Sequence, residues 1–167
     1  MLLLLMFGAL LGAARAQTER VLYSFCTQAN CTDGSLPSAG LVFDQDGNLY
    51  GTTLDGGGSN NCKDGCGVVF KLTPKGKYET LYTFCMETKC TDGAEPSAGL
   101  VFDQKGNLYG TTFYGGDDGY GVVFKLTPEG KETVLYSFCV QNNCTDGAEP
   151  SGGLVFDQTG NLYGTTL

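Results

Sequence analysis

Histidine and tryptophan are absent from the 167 residues of this chain, and charged side chains make up only 17% of it. The missing histidine excludes Ser-His-Asp and Cys-His catalytic arrangements, and it excludes metal sites with imidazole ligands. There is no long charged or polar run of the kind that keeps a segment disordered. Basic residues are scarce, with 10 against 18 acidic ones and a net charge of −8. We therefore expect no nucleic-acid partner.

The chain opens with an apolar run, MLLLLMFGALLGAARA, that ends in Ala14-Arg15-Ala16. This pattern predicts a secretory signal over residues 1–16, which would leave residues 17–167 as a single repeat domain. A membrane anchor is the alternative, but the run is short for a bilayer span. We expect a secreted or cell-surface protein with no membrane span after signal cleavage.

Cysteine and glycine are plentiful, with 8 and 26 residues. The cysteines fall into close pairs, which are Cys26 with Cys31, Cys62 with Cys66, Cys85 with Cys90, and Cys139 with Cys144. Repeated close pairs predict four local disulfides, which persist in exported proteins. A four-thiolate zinc site is the alternative, but here the pairs are spread one per repeat. We expect disulfides, no metal and no cofactor.

One 23-residue segment occurs three times. It reads CTDGAEPSAGLVFDQKGNLYGTT from Cys90, and the copies from Cys31 and Cys144 differ from it at three and two positions. VLYSFC at Val21 returns as TLYTFC at Thr80 and as VLYSFC at Val134, at steps of 59 and 54 residues. The copies span approximately residues 21–79, 80–133 and 134–167, the last being truncated. The extra five residues of the first copy fall in one loop, so the framework is unchanged.

Each copy contains four short β-like runs and no helical periodicity. In the middle copy these are AGLVFD, NLYGTT, GVVFKLT and ETVLYSF, from the innermost to the outermost. Four antiparallel strands in about 50 residues are typical of a β-propeller blade. We predict an all-β, propeller-like array of four-stranded antiparallel blades, with two complete blades plus partial ones. A stacked β-solenoid is the alternative.

The third copy stops at GTTL, before another GVVFKLT. We therefore expect this chain to be a fragment of a longer array. Unpaired strand edges invite pairing with another chain, so self-association through these edges is a second expectation. The three repeated cysteine pairs would each close the crossover from one blade to the next, and Cys62 with Cys66 would close the inserted loop of the first copy.

Paired carboxylates occur in the two TDGAEP segments, as Asp92 with Glu95 and Asp146 with Glu149. The first copy has Asp33 but carries Leu36 in place of the glutamate. We expect these five carboxylates to form a ligand-facing rim, since they precede the innermost strands. Ordinary turn chemistry is the alternative, and no catalytic residue is assigned.

A further acidic segment, Asp44 to Asn48, is similar to the start of a calcium loop. The counterparts of Asp46 are Lys105 and Thr159, and the closing glutamate is missing. We interpret this segment as a hairpin turn.

The signature LYSF, TDGxxPxAGL, DxxGNLYGTT and GVVFKLTPxG resembles the GloVer tandem repeat, found in exported bacterial proteins often described as choice-of-anchor repeat proteins. It covers Val21 to Leu167. The resemblance implies a secreted or surface-attached, propeller-like array with no established activity. We expect a non-enzymatic binding or structural module, with an extracellular glycan or protein as partner. A carbohydrate-active hydrolase or lyase of propeller fold, with carboxylates at the TDG rim, is the alternative.

Overall fold

A computed structural model describes residues 19–167, and the predicted signal at residues 1–16 lies outside the described residues. Ten short strands make up the fold. They are β1 Val42–Phe43, β2 Leu49–Thr53, β3 Val68–Leu72, β4 Tyr78–Thr83, β5 Val101–Phe102, β6 Leu108–Thr112, β7 Val122–Leu126, β8 Glu132–Ser137, β9 Val155–Phe156 and β10 Leu162–Tyr163. Single 3-10 turns occur at Ala29–Cys31, Thr88–Cys90 and Asn142–Cys144. Within residues 19–167, no helix has the length and apolar character that crossing a membrane requires.

The strands form two complete blades and part of a third. Sheet order is β1-β2-β3-β4 in the first blade, β5-β6-β7-β8 in the second, and β9-β10 in the partial one. Every neighbouring pair is antiparallel. The prediction of an all-β array of four-stranded antiparallel blades is confirmed, and the blades do not close into a ring. In such a meander the β1–β2 and β3–β4 turns share one end of a blade, and the β2–β3 loop and the crossover share the other.

Some predicted strands are shorter in the structure. The inner run AGLVFD contributes only Val101–Phe102, which pair with Tyr109 and Leu108 of β6. Residues Leu22 to Phe25 form no strand, since no described strand lies beside them. Their side chains pack instead against Phe70 and Tyr78 of the first blade. The last run pairs only at Leu162 and Tyr163, for the same lack of a described neighbour.

The core lies where successive blades face each other. Phe84 and Phe124 are fully or almost fully buried, with their ring centroids 5.0 Å apart and edge-on. Leu100 and Val69 belong to the same buried cluster. Burying each such side chain stabilises the fold by roughly 1.5–3 kcal/mol. Neighbouring sheets thus supply each other's apolar contacts, which is the physical reason for the repetition.

A glycine in the second strand of each complete blade makes room for a phenylalanine ring. A Cβ added at Gly110 would lie 2.7 Å from Cζ of Phe124, and one at Gly51 would lie 2.8 Å from Cζ of Phe70. Both distances are shorter than any ordinary carbon–carbon contact. The glycine of NLYGTT is therefore required by packing.

The eight cysteines form four local disulfides, Cys26–Cys31, Cys62–Cys66, Cys85–Cys90 and Cys139–Cys144. This confirms the predicted pairs. Three of them close the crossover that leads from an outer strand toward the next inner strand. The fourth closes the loop between β2 and β3, residues 56–66, which we call the insert loop.

Candidate functional site

The aspartate of each TDG segment is the centre of a repeated hydrogen-bond cluster. Tyr23 donates its hydroxyl to Asp33 at 2.7 Å, and two backbone N–H groups, of Thr27 and Gln28, donate to the same carboxylate at 3.0 and 3.2 Å. The same three kinds of donor meet Asp92 and Asp146 in the later copies, from Tyr82, Met86 and Glu87 and from Tyr136, Val140 and Gln141. Each carboxylate thereby ties the tyrosine of the preceding LYSF or LYTF segment to the disulfide-closed crossover.

The electrostatics of Asp33 follow from these contacts. Burial alone raises the pKa of this carboxyl, but the hydrogen bonds from Tyr23, Thr27 and Gln28 outweigh that effect and lower the pKa to about 2. Asp33 and Asp92 are both buried, and their carboxylate oxygens point at internal donors. These contacts give the TDG aspartate a structural role, since it accepts hydrogen bonds that hold the turn to the neighbouring tyrosine. Ligand binding by the aspartates stays a prediction.

Glu95 and Glu149 have backbone φ angles of 57° and 50°, in the left-handed region where non-glycine residues are uncommon. Their N–H groups donate at 2.8 Å to the carbonyls of Cys66, in the β2–β3 loop, and Tyr120, in the β6–β7 loop. Burial, with repulsion from Asp55, raises the pKa of Glu95. The structure thus places Glu95 beside a further acidic residue that the sequence analysis did not select, and its ligand role also stays a prediction.

The insert loop forms one wall of a polar cleft of about 700 Å³. Its lining includes Asn30, Ser35, Asp55, Asn60, Lys63 and Asp64. The loop is held by hydrogen bonds from Ser59 Oγ and Asn61 Nδ2 to the carbonyl of Cys85, both 3.0 Å long. Burial and then the nearby charge of Asp64 raise the pKa of Asp55. The cleft is open, acidic and specific to the first blade.

At the opposite end of the blades, a groove lies between each pair of successive inner hairpins; we call these the junction grooves. The first has a volume of about 370 Å³ and lies between Phe43 and Phe102, while the second, of about 420 Å³, lies between Phe102 and Phe156. Gln104 lines both of them, with Gln45 on the far side of the first and Gln158 on the far side of the second. One structural unit therefore recurs at two consecutive junctions.

The aspartate that begins each inner hairpin turn is held by turn donors, whereas Asp46, which also lines the first groove, is exposed. Asp103 Oδ1 accepts the N–H groups of Lys105 and Asn107 at 2.9 and 2.8 Å, and Oδ2 accepts from Asn107 Nδ2 and the Tyr109 hydroxyl at 2.6 and 3.1 Å. Burial raises its pKa, but these bonds prevail and lower it. Asp44 and Asp157 make the same contacts. The structure therefore gives the segment from Asp44 to Asn48 the hairpin-turn geometry inferred from the sequence.

Glu132 is a candidate functional residue that the sequence analysis missed. It stands where the first blade has Tyr78, whose hydroxyl donates to the carbonyl of Asp33 at 2.7 Å. Oε1 of Glu132 is buried without a hydrogen-bond partner, in a cleft of about 360 Å³ shared with Glu87, Asp92 and Asp117. Burial, with repulsion from Asp92 and Glu87, raises its pKa to about 7. Comparing the copies position by position would have exposed this Tyr-to-Glu difference.

Comparison with known proteins places these features in a family. The sequence profile of the Gloeobacter/Verrucomicrobia repeat matches residues 8–167. No curated protein matches the chain. An X-ray structure described as a candidate gluconolactonase is similar at 20% identity and a TM-score of 0.44, with 75% of this chain covered. This chain spans 40% of that protein's length. The match to the repeat profile extends over nearly every residue discussed above, and the chain belongs to the Gloeobacter/Verrucomicrobia repeat family.

Proposed function

We propose that this chain is an exported, non-enzymatic repeat module that binds a neutral linear glycan along the junction grooves. The recurrence of one groove at two consecutive blade junctions, with Phe102 and Gln104 shared between them, carries this proposal. A ligand that repeats along its own length can make the same contacts at each junction. Linked sites also raise affinity without any new kind of contact.

The chemistry of the junction grooves suits a neutral saccharide. The aspartates that begin the hairpin turns, such as Asp103, are engaged by turn donors. The exposed amides of Gln45, Gln104 and Gln158 are therefore the free polar side chains that every copy supplies. The position after the glutamine varies in charge and is Asp46, Lys105 or Thr159. Phe43 is 66% exposed and adds an apolar surface at the first groove. Amides pair with sugar hydroxyls, and aromatic rings contact the apolar faces of sugars. The net negative charge disfavours anionic polymers.

The absence of an enzymatic role is supported by how the TDG carboxylates are used. A general acid or base must exchange a proton with its substrate. Asp33, Asp92 and Asp146 instead accept hydrogen bonds from a tyrosine and two backbone groups. A pKa of about 2 also keeps Asp33 ionised at the pH values at which a general acid would work.

Export is supported by the cysteine chemistry. Each of the eight cysteines belongs to a disulfide, and no free cysteine occurs in the described part of the chain. Such bonds persist in oxidising compartments and are rare in the cytosol. If the signal is cleaved, mass spectrometry of protein collected outside the producing cells should show a chain that starts at Gln17.

Calorimetric titration with neutral glucan, xylan and chitin oligosaccharides of increasing length tests the binding proposal. We expect one class to bind, with affinity rising as the oligosaccharide becomes long enough to reach both grooves. Gln104→Ala removes an amide from both grooves and should weaken binding by about 2- to 12-fold, the value of one hydrogen bond. Gln141→Ala, at an exposed crossover position, is the matched control and should bind like the wild type.

Two results would contradict the proposal. One is equal weakening by Gln104→Ala and Gln141→Ala, which would separate binding from the grooves. The other is an affinity that does not change with oligosaccharide length. Recovery of intact oligosaccharide after long incubation is the outcome expected for a binding module.

The acidic cleft around Glu132 favours a second candidate, a hydrolase acting on the same class of ligand. A carboxyl with a raised pKa beside other carboxylates is a frequent feature of catalytic sites. Glu132→Gln distinguishes the two functions, because it should abolish any cleavage if Glu132 is a general acid. It should leave oligosaccharide binding at the grooves unchanged if the module only binds.

A further inference from the structure

The insert loop brings two disulfides together that are 19 residues apart at their nearest cysteines, Cys66 and Cys85. The sulfur atoms of Cys62, Cys66 and Cys85 all lie within 4.8 Å of one another. Cys90 is bonded to Cys85 and packs against the same buried cluster. Three cysteine sulfurs from two parts of the chain thus lie together, and the sulfur of Cys90 is next to them through its bond to Cys85.

The backbone at this point is positioned by contacts that do not involve sulfur. The Cys85 N–H donates to Gly93 at 3.0 Å, and the Cys85 carbonyl accepts from Ser59 and Asn61. The Cys66 carbonyl accepts the Glu95 N–H at 2.8 Å. Cys66 and Cys85 are both completely buried. Because these bonds survive the loss of a disulfide, reduction should leave the four thiols close together.

Four thiolates arranged in this way match the ligand set of a structural zinc site. Zinc–thiolate bonds of about 2.3 Å in a tetrahedron put the sulfurs about 3.8 Å apart. Three of the sulfurs already lie within 4.8 Å, so these three need about 1 Å of contraction. The fourth ligand is the Cys90 thiol, which reduction releases from Cys85. Thiolates also need a cation when they are buried, since an unpaired buried charge is costly. Among residues 19–167, no other disulfide contributes to such a cluster.

We propose that the reduced protein binds one thiophilic divalent cation of the zinc class through Cys62, Cys66, Cys85 and Cys90. Each of the two disulfides takes up two electrons and two protons and becomes a pair of thiols. An external dithiol supplies both and becomes a disulfide, whereas a phosphine supplies the electrons and becomes its oxide, with water supplying the protons and the oxygen. The cation then displaces the thiol protons as the sulfurs coordinate it. The same residues therefore serve as two covalent staples when oxidised and as a metal site when reduced.

Cobalt(II) is a suitable probe, because thiolate coordination in a tetrahedron gives it characteristic visible bands. The full chain is reduced with a phosphine in the absence of oxygen and titrated with cobalt, then with zinc. We expect the bands to saturate at one equivalent of cobalt and to disappear when zinc displaces it. The oxidised chain should give no thiolate bands.

Cysteine-to-serine pairs locate the site. Cys62→Ser with Cys66→Ser should abolish the bands or weaken cobalt binding by at least 100-fold. Cys139→Ser with Cys144→Ser removes an equivalent crossover pair without an insert-loop neighbour, and it should leave the stoichiometry and affinity unchanged. Two results would overturn the proposal. One is an equal loss of cobalt binding in both double variants, and the other is persistence of the cobalt bands in the variant that lacks Cys62 and Cys66.

A reduced chain that had unfolded would bind cobalt through any of its cysteines. The titration is therefore repeated in concentrated urea, where we expect binding at least 100-fold weaker and no fixed stoichiometry. Equal affinity with and without urea would show that the fold does not build the site. Zinc should also raise the melting temperature of the reduced wild type and leave that of the Cys62/Cys66 double variant unchanged.

Discussion

Glu132 predicts a pH dependence of stability that a single substitution should remove. Its carboxyl has a pKa of about 7 in the folded chain, against an ordinary value of 4.5. The folded state therefore holds a proton between about pH 4.5 and pH 7 that the unfolded chain has released. The stabilising contribution is fully present below pH 4.5 and is lost as the pH rises through 7.

The size of the effect follows from the same values. The difference between the two pKa values, at about 1.4 kcal/mol per unit, gives an upper bound of roughly 3 kcal/mol for the change in the free energy of unfolding. Because the carboxyl is only partly shielded from water, we expect about 1–2 kcal/mol. This corresponds to a change of about 2–8 °C in Tm for a domain of this length.

Urea unfolding of the wild type and Glu132→Gln, with disulfides intact, measures this difference between pH 5 and pH 8. We expect the two proteins to have similar free energies of unfolding at pH 5, with the variant more stable by about 1–2 kcal/mol at pH 8. Glu79→Gln is the control, because Glu79 is an exposed carboxylate on the outer strand of the first blade. Its free energy of unfolding should change with pH in the same way as that of the wild type. A Glu132→Gln curve that is also parallel would refute the reasoning.

A third variant tests whether the replacement of tyrosine by glutamate at position 132 causes the pH dependence. Glu132→Tyr restores the residue type found at Tyr78, whose hydroxyl donates to the carbonyl of Asp33 at 2.7 Å. The new hydroxyl should reach the corresponding carbonyl of Asp92. We expect this variant to be more stable than the wild type at pH 8 and to lose the pH dependence between 5 and 8.

Three further predictions concern the repeated framework. Tyr82→Phe removes the 2.9 Å hydrogen bond to the buried Asp92 and should lower the free energy of unfolding, measured in urea, by about 1–3 kcal/mol. Tyr136→Phe removes the exposed counterpart of this bond and should lower the free energy of unfolding by less. Gly110→Ala puts a Cβ against the Phe124 ring and should cost about 1–3 kcal/mol, while Gly153→Ala, with open space around it, should be nearly neutral in a thermal melt. Removing the staple with Cys139→Ser and Cys144→Ser should cost about 2 kcal/mol on the chain-entropy estimate for a six-residue loop; an unchanged unfolding midpoint would contradict that origin.

The blade architecture could be predicted from the sequence because its causes are local and repeated. Turn chemistry at Asp103 to Asn107, alternation in VVFKL and the fixed spacing of cysteine pairs each depend on neighbouring residues. Threefold repetition then separates framework positions from variable ones without any other sequence. Strand ends were less predictable, since a strand extends only as far as its partner does. The segment from Leu22 to Phe25 has the outer-strand sequence but no described partner, and it packs through its side chains alone.

The candidate sites depend on contacts between residues far apart in the chain. Sequence alone identified Asp92 and Glu95 as paired carboxylates, but the structure gives Asp92 a tyrosine and two backbone donors and gives Glu95 an acidic neighbour, Asp55. Nothing in the spacing of Cys62 and Cys66 indicates that they meet Cys85, because the contact is made by a loop folding back onto a crossover.

The sequence by itself determined the all-β class, the four-strand unit, the cysteine pairs and the lack of histidine chemistry. These follow from residue type, period and short-range spacing, which do not depend on how the blades stack. Only the tertiary structure decided which carboxylates are engaged by internal donors, which stay free, and where grooves recur. Those properties depend on burial and on the approach of one blade to the next. A residue such as Glu132 has an ordinary carboxyl in the sequence, and its raised pKa comes entirely from the neighbours that folding gives it.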